Sequence, residues 1–379
     1  MSSSGPTAGV NLGGLRRHNR TLLLDRIRRA GGCSRGELAA RSGLTQQAVS
    51  KIVRELTAAG VLDEQRQPPS GVGKPGSLLR VRADARHAIG AQLDRDQIRL
   101  VRTDLLGAVR DRRVIPLATG FTPDDAVAAI ATGVTELTED RDRLLGLGVG
   151  GLGPLDHRTG VLTAPTNLPG WHAVPLRDRL ADATGIPVVV DKDTNAAAVA
   201  HAWPAGGPLP ATAVVLVGTG IGAGLVIDSR LYRGPRTNAG EFGHTTLDHA
   251  GPRCGCGRRG CVEVLHNAAL AAGDPAEAAR LLGIGLADLV QILDLERLVL
   301  AGRTVQAAPG LYRDTVAALL AESLPVPHWQ RIELVVDELG ADVVAVGAAA
   351  EVLAGFYAEP SPCPGQGDRP HDAITEPGR

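Results

Sequence analysis

The sequence predicts an α/β protein in which a small, mainly helical N-terminal domain precedes a larger body. The first 80 residues carry three helix signals and a hairpin pattern, and they hold 13 Lys and Arg against 5 Asp and Glu, a net charge of +8. From about residue 86 onward, apolar strand-like segments alternate with Ala-rich helical segments, which is the order typical of an α/β fold.

Composition limits the class of protein. The chain has 379 residues, of which 44% are hydrophobic and 21% charged, so it is long and apolar enough for more than one core, and a wholly disordered chain is excluded. The most apolar stretch, residues 211–227, is interrupted by four glycines, so we expect a buried strand-turn-strand and no membrane segment. The N-terminus has no charged head followed by an apolar run, which indicates a cytoplasmic protein.

The N-terminal elements follow from capping signals. Residues 21–29 place Leu22, Leu23 and Ile27 at helical spacing and end at a Gly pair. Ser34 and Glu37 form a capping-box pattern, which predicts the start of a second helix. A Gly-containing turn and a Thr cap then predict a third helix with an inward stripe of Val49, Ile52, Val53 and Leu56.

These helices have the proportions of a helix-turn-helix, in which the last helix enters the major groove of DNA. Strands at 61–64 and 77–81 would form the wing, with Lys74 near its tip positioned for the phosphates or the minor groove. A solvated basic helix face is the alternative interpretation, but the stripe, cap, turn and charge all favour DNA recognition. The candidate DNA-binding residues are Thr45, Gln46, Gln47, Ser50, Lys51, Arg54 and Lys74.

The body alternates strands and helices before ending in a helix at 342–357. Expected strands lie at 89–93, 98–103, 144–149, 187–190, 213–217, 225–227, 298–300 and 332–336, with helices at 123–139 and 195–203. We therefore expect a flexible N-terminus at 1–14, a winged helix-turn-helix domain at 15–82, a body of two lobes at 86–357 and a disordered tail at 358–379, which is rich in proline.

A cysteine cluster predicts a structural zinc site. Three thiols at Cys254, Cys256 and Cys261 follow His244 at short spacing, and the intervening glycines allow a tight fold. Three thiolates and one imidazole are the donor set of a closed Cys3His zinc site. A disulfide is disfavoured because the number of thiols is odd and because the first two are too close to bridge.

The body resembles the ROK family of repressors and sugar kinases. The resemblance rests on the glycine-rich run Gly218 to Gly224, on Leu-Tyr-Arg-Gly from Leu231, on Ala-Gly-Glu-Phe-Gly-His from Ala239, and on the cysteine cluster closed by Val-Glu at Glu263. With the N-terminal domain in front, it points to the repressor branch of the family. It implies a fold with two lobes that is actin-like and hexokinase-like (ribonuclease H-like, ATPase-type), with a sugar held between the lobes.

The resemblance also implies which residues contact the sugar. Matching the family's motifs onto this sequence gives Gly151, Thr166, Asn167, Asp193, Glu241, His244 and Glu263, with His244 also a ligand of the structural Zn2+. Plain turn chemistry is the alternative for the glycine-rich loops. Carboxylates and imidazole can accept hydrogen bonds from sugar hydroxyls, and zinc would fix the orientation of the imidazole ring.

Two departures bear on kinase activity. Asp193 matches the general base of the family's kinases, but Lys192 stands where those kinases have Asn. Family kinases also carry Asp-x-Gly-Gly-Thr after the first strand of the body, where glycines let the backbone approach phosphate, and the corresponding stretch from Ile89 to Asp94 lacks the double glycine and the threonine. We therefore expect no phosphoryl transfer and only a vestigial role for Asp193.

The leading hypothesis is a repressor that binds a double-stranded DNA operator as a homodimer or homotetramer under the control of a sugar or sugar derivative. One alternative is an ATP-dependent sugar kinase carrying a DNA-binding domain. Another is a DNA binder that responds to no ligand, with a relic pocket, as the replacement by Lys192 suggests.

Overall fold

The computed structural model of the chain describes residues 12–66, 77–165, 168, 170–204, 208–324 and 331–358. Within these residues the chain forms an N-terminal domain and a body built on two five-stranded sheets, with a smaller sheet of three strands. Lys74, Thr166 and Asn167 lie outside the described residues, as does the tail from residue 359 onward.

The N-terminal domain is a winged helix-turn-helix. Its elements are α1 (Leu12–Arg29), α2 (Arg35–Ser42), α3 (Gln46–Ala58), β1 (Leu62–Arg66) and β2 (Ser77–Val81). Both halves of the expected capping box at Ser34 and Glu37 are present, and Thr45 caps α3 through Ala48. α1 begins at Leu12, so Leu12–Gly14 belong to the helix and not to a flexible N-terminus. On α1 it is Leu24, not Leu22, that is buried beside Leu23.

The first lobe is built on a sheet with the order β10-β6-β3-β4-β5. Its elements are β3 (His87–Leu93), β4 (Gln97–Asp104), β5 (Val109–Pro116), α4 (Pro123–Leu137), β6 (Leu144–Gly151), β7 (Leu155–Asp156), β8 (Val161–Leu162), β9 (Val174–Pro175), α5 (Leu176–Thr184) and β10 (Val188–Lys192). Strand β5 was not predicted, because it is an edge strand of mostly exposed, charged residues that lacks an apolar pattern.

The helix α6 (Asp193–Ala202) leads into the second lobe, whose sheet has the order β13-β12-β11-β14-β15. Its elements are β11 (Thr212–Val217), β12 (Ile221–Ile227), β13 (Arg230–Tyr232), α7 (Val262–Ala271), α8 (Pro275–Leu293), β14 (Arg297–Ala301), α9 (Arg303–Ala307), α10 (Pro309–Ser323), β15 (Glu333–Val336) and α11 (Val343–Tyr357). The glycine-rich run is only partly a loop, since β12 already begins at Ile221.

Helix α11 lies in unusually close contact with its neighbours. A Cβ placed on Gly347 would come within 1.7 Å of the carbonyl oxygen of Ala196 in α6, and one on Gly90 of β3 within 1.8 Å of that of Ala345. The segment Gly340–Tyr357 is long and apolar enough to cross a membrane, but 56% of it is buried inside the fold. Core packing of α11 therefore accounts for its composition.

The N-terminal domain shares one hydrophobic core with the end of α11. Leu23 and Ile27 of α1 belong to the same buried cluster as Leu353 and Tyr357. At the rim of this cluster the guanidinium of Arg28 lies 4.0 Å from the centroid of the Trp203 ring and 5.2 Å from that of Tyr357. This contact brings together α1, the residue that follows α6, and the last residue of α11.

Candidate functional sites

The first candidate site is the exposed face of α3. Val49, Ile52, Val53 and Leu56 are buried, so the helix is fixed by its apolar stripe. The opposite face presents the side chains of Gln46, Gln47, Lys51 and Arg54 to solvent, whereas Ser50 is half-buried. The Thr45 hydroxyl accepts a hydrogen bond from the Ala48 N–H at 3.3 Å. These amide and cationic groups are suited to base edges and phosphates.

The second candidate site is the cleft between the lobes, where Asp193 begins α6. Its carboxylate accepts a hydrogen bond from the Thr194 N–H at 2.7 Å. Burial raises the pKa of Asp193 to about 6, while the neighbouring Lys192 ammonium opposes that rise. The carboxylate is therefore mostly ionised near neutral pH, and it can accept a proton or a hydrogen bond from a bound hydroxyl.

Lys192 is buried in this cleft and already engaged. Its ammonium donates to the carbonyl oxygen of Ala239 and to Oε1 of Glu241, both at 2.8 Å. Only 3% of its side chain is exposed. Because a buried ammonium requires a counter-charge, Lys192 neutralises Glu241 and leaves the other carboxylate oxygen, Oε2, available to a ligand.

The remaining predicted sugar contacts are only partly brought together. Glu263 also lines the cleft, and it accepts a hydrogen bond from the Ile221 N–H at 2.8 Å. His244 lines the same cleft. Gly151 is the last residue of β6, not part of a turn, and the cleft is lined by its successors Leu152 and Gly153. The prediction for Gly151 is therefore wrong in its placement, because the strand extends two residues beyond the predicted end at Val149.

At the far end of the cleft, the turn after β3 reaches across to the second lobe. Asp94 accepts a hydrogen bond from the Thr219 hydroxyl at 2.7 Å, and Arg95 donates to the Thr219 carbonyl oxygen at 2.7 Å. Arg303 pairs with Asp96 at 2.6 Å and lies 3.9 Å from Asp94. Side chains of this turn thus connect the lobes directly.

The third candidate site is a metal centre. The donor atoms of His244, Cys254, Cys256 and Cys261 all lie within 4.8 Å of one another. Sγ of Cys256 is 3.6 Å from Sγ of Cys261, and Sγ of Cys254 is 3.6 Å from Nδ1 of His244. Ligands about 2.0–2.3 Å from a tetrahedral ion lie at comparable separations, so the four residues can hold a metal ion.

The centre adjoins the cleft through His244. Its Nδ1 faces the cysteines, while its Nε2 faces the cleft, 4.0 Å from Oε2 of Glu241. Ligation at one ring nitrogen would fix the direction of the other, which connects the metal centre to ligand orientation.

Below the cleft a buried network joins β10 to α11. Arg233 donates to Asp191 at 2.5 Å and to Glu351 at 2.9 Å. Asp191 also accepts from the Lys192 N–H at 2.7 Å and from the Asn195 amide at 2.8 Å. The pKa of Glu351 lies well above its usual value, mainly because the carboxyl group is buried and secondly because it faces the charge of Asp191. Displacement of the Lys192–Asp193 segment would therefore act on α11.

Sequence reasoning missed Arg95 as a residue of the cleft, and it noted Thr219 only as part of the glycine-rich run and Arg303 only as part of the stretch from Leu300 that replaces a glycine turn of the family. The motif comparison stopped at Asp94, so the next side chain was not weighed. Arg28 was counted only as basic charge, because its contacts with Trp203 and Tyr357 join residues far apart in the chain. A contact between residues so far apart in the chain cannot be predicted from a local sequence pattern.

Comparisons with known proteins agree with this architecture. Residues 88–274 match the ROK family, and residues 14–71 match the MarR family. The putative xylose repressor of Caldicellulosiruptor sp. (strain Rt8B.4) is 25% identical over 388 residues, which cover 90% of this chain and 97% of that relative.

Two solved structures illustrate the likeness. A ROK family transcriptional regulator, described as a homologue of the E. coli MLC protein, has a TM-score of 0.71 at 22% identity and covers 90% of this chain and 97% of its own, which shows the fold. The ROK hexokinase from Thermus thermophilus has a TM-score of 0.58 at 31% identity and covers 70% of this chain and 97% of its own. The chain therefore belongs to the ROK family, with a MarR-type winged helix-turn-helix domain in front of an actin-like, sugar-kinase-type body.

Proposed function

We propose that the chain is a transcriptional repressor whose binding to a DNA operator is controlled by a sugar or sugar derivative bound between the lobes. The name of the xylose repressor relative and the MarR match support the DNA-binding part. The geometry of α3 supports it independently, since its polar face is free while its apolar face is buried. The DNA contacts assigned to this face, and to Lys74 on the wing, are part of the proposal.

The contacts between the lobes are the observation that favours a regulatory function over kinase activity. A kinase needs an open, donor-rich cradle for the phosphates of ATP. Here the carboxylates of Asp94 and Asp96 face that region and are paired with Arg303 of the other lobe. ATP phosphates would meet like charge and would have to break these pairs, so we infer that the body is not an enzyme.

The cleft supports a mechanism in which the effector separates the lobes. In its present form it holds a cavity of about 70 Å³, whereas ligand pockets generally measure about 300–1,000 Å³. An effector that contacts Asp193, Glu241, His244 and Glu263 therefore requires a wider cleft. Its binding would favour the open arrangement over the closed one, which is a shift of populations.

Two helices would transmit this shift to the DNA-binding domain. α6 starts at Asp193 in the cleft and runs 10 residues, about 15 Å, to the side of Trp203. α11 starts at Val343, beside the end of the cleft where Asp94 meets Thr219, and ends at Tyr357. Because Arg28 contacts both Trp203 and Tyr357, a change in the angle between the lobes reaches α1 directly.

We further propose that the metal centre holds a structural Zn2+ and that the active form is a homodimer or homotetramer in the cytoplasm. His244, Cys254, Cys256 and Cys261 would hold the zinc ion, which supplies no chemistry beyond fixing the loop and the His244 ring. Two recognition helices in a dimer would read a pseudo-palindromic operator.

The test is DNA binding by the purified full chain to the region upstream of its own gene, measured by footprinting with and without a panel of sugars. A protected site whose affinity changes about 5- to 150-fold with one sugar is expected. The absence of any protected site would contradict the proposal. Sugar-dependent ATP turnover that is lost in Asp193→Asn would establish the kinase alternative instead. Tight DNA binding without a response to any carbohydrate would favour a DNA-binding protein whose pocket no longer binds a ligand.

A further inference from the structure

A second cavity lies beside the segment that joins the DNA-binding domain to the body, and we call it the junction cavity. Its volume is about 590 Å³, within the range of about 300–1,000 Å³ that ligand pockets generally have. It shares no lining residue with the cleft between the lobes. Its walls carry four arginines, four carboxylates, His87 and Ala83, so the charges of the lining residues balance.

Most charges of the junction cavity are paired within its walls. Arg110 forms an ion pair at 2.5 Å with Asp104, whose side chain is only 4% exposed. Arg143 forms an ion pair with Asp140 at 3.1 Å. These pairs leave no net charge in their part of the wall.

Two charges of the cavity depart from this one-to-one pairing. Arg102 is shared by two carboxylates, Asp111 and Glu139, the latter at 2.9 Å. Arg86 forms no ion pair with any carboxylate in the described part of the chain, and its Nη1 donates to the Ala85 carbonyl oxygen at 2.7 Å. The cavity therefore contains one cation without a counter-charge and one carboxylate that has only a share of a cation.

The cavity is also lined by a buried imidazole without a partner. His87 is the first residue of β3, it is 6% exposed, and its Nε2 has no hydrogen-bond partner within the described residues. Burial lowers the pKa of His87, so the ring is neutral near pH 7 and adds no charge to the walls. A buried polar atom that is left unpaired costs free energy, and a ligand that pairs with it recovers that cost.

The joining segment is held to both domains through its backbone. The Arg82 N–H donates to the Val61 carbonyl oxygen in the DNA-binding domain at 2.9 Å. One residue later, the Ala83 carbonyl oxygen accepts from the Leu105 N–H of the body at 3.0 Å. Asp84, which follows, lies 3.5 Å from Arg82 and lines the cavity. A ligand bound between this segment and the body would therefore act on the orientation of the DNA-binding domain.

We propose that the junction cavity binds a zwitterionic amino acid, whose carboxylate pairs with Arg86 and whose ammonium pairs with Glu139, and that its occupancy changes the affinity for the operator. A neutral sugar would leave Arg86 without a counter-charge. A simple anion or cation would add net charge to a cavity whose charges balance. A zwitterion pairs with the free guanidinium and with the shared carboxylate at once, and it adds no net charge. Because this site is separate from the cleft, the inference goes beyond the proposed function.

The test is titration calorimetry of the full chain with the standard L-amino acids, β-alanine and γ-aminobutyrate. For each compound that binds, the amide form lacks the carboxylate charge and the N-acetyl form lacks the ammonium charge. We expect both forms to bind at least about tenfold more weakly, because each loses one charge-assisted pair. Arg86→Gln should remove the discrimination against the amide form and keep that against the N-acetyl form, and Glu139→Gln should do the reverse.

Arg313→Gln is the matched control, because Arg313 is an exposed arginine of α10 that pairs with its neighbour Asp314. This control should keep both discriminations, and thermal unfolding of each variant reports on its folding. In the parent chain, saturation with the amino acid should change operator affinity by about fivefold or more, measured by fluorescence anisotropy of a labelled operator.

The inference is overturned if none of these compounds binds, or if an amino acid binds the parent chain, Arg86→Gln and Glu139→Gln equally well. A bound amino acid that leaves operator affinity unchanged would overturn the regulatory role of the cavity. Each of these results would leave the sugar-controlled repressor standing, since that function depends on the cleft. Failure of the parent chain to bind any operator would instead contradict the proposed function.

Discussion

The contact of Arg28 with Trp203 and Tyr357 makes a specific prediction about communication between the cleft and the DNA. In Arg28→Ala, effector and operator should each still bind, but the effector should no longer change operator affinity. The side chain of Arg28 is only 7% exposed, and it donates to the Trp203 carbonyl oxygen at 3.1 Å. It also pairs with Asp25 at 2.9 Å.

The magnitude follows from these contacts. A desolvated cation–π contact contributes about 2 kcal/mol, and a hydrogen bond from a charged donor about 1.5–3 kcal/mol. Their loss is comparable with the whole coupling free energy of about 1–3 kcal/mol that regulators generally show. We therefore expect the change in operator affinity caused by the effector to fall from about 5- to 150-fold to less than about twofold.

The assay is fluorescence anisotropy of a labelled operator at fixed salt, with and without saturating effector, and effector affinity measured separately by calorimetry. Arg29→Ala is the matched control, because it removes the same charge from the next residue of α1, whose side chain is 41% exposed. Trp203→Ala tests the same contact from the body without altering the DNA-binding domain. If Arg28→Ala and Trp203→Ala both keep the full response to effector, this route of communication is refuted.

Three other expectations follow from the structure. Gly347→Ala should destabilise the chain by several kcal/mol in thermal unfolding, since the new Cβ would lie 1.7 Å from the Ala196 carbonyl oxygen. Gly355→Ala on the same helix is the control, because its new Cβ would have no heavy atom within 4 Å, and it should be neutral or slightly stabilising. Cys261→Ser should lower the bound zinc, measured by mass spectrometry of the native protein, and weaken effector binding through His244; full zinc content in this variant would contradict the assigned ligands. Burial lowers the pKa of His266, so its contribution to the free energy of unfolding should be complete above about pH 6.5 and should decrease below it, because the unfolded chain then takes up the proton. His266→Gln should lose less of its free energy of unfolding than the parent chain between about pH 7.5 and 5.5. An equal loss in both proteins would show that other groups dominate.

The sequence determines the elements of the N-terminal domain through local signals. The capping box at Ser34 and Glu37 and the cap at Thr45 depend on residues three positions apart, so they can be recognised without tertiary information. The metal centre was equally accessible, because three of its four donors lie within eight residues of the chain. Strand β5 was not accessible, since its residues are charged and its place in the sheet is set by β4.

The cleft shows why part of a site escapes sequence reasoning. Lys192 could be flagged because it replaces a residue of a recognisable motif, but its pairing with Glu241 joins residues 49 positions apart. The side chains of Arg95 and Arg303 meet the opposite lobe only after folding, so no local pattern predicts their contacts. Contacts between lobes depend on how two separately folded sheets are placed, and hydrophobic periodicity carries no information about that placement.

The direct contacts between lobes also bear on which ligand can act as the switch. In a kinase, lobe closure is stabilised by the nucleotide and its metal, whereas here Asp94 with Thr219 and Asp96 with Arg303 stabilise closure within the chain itself. Closure then needs no second ligand, so the effector alone sets the populations of the two arrangements. Moving such an equilibrium from 1:99 to 99:1 requires about 10⁴-fold tighter binding to one arrangement. A ligand that must break these pairs would bind the two arrangements very differently, which is the property that a switch requires.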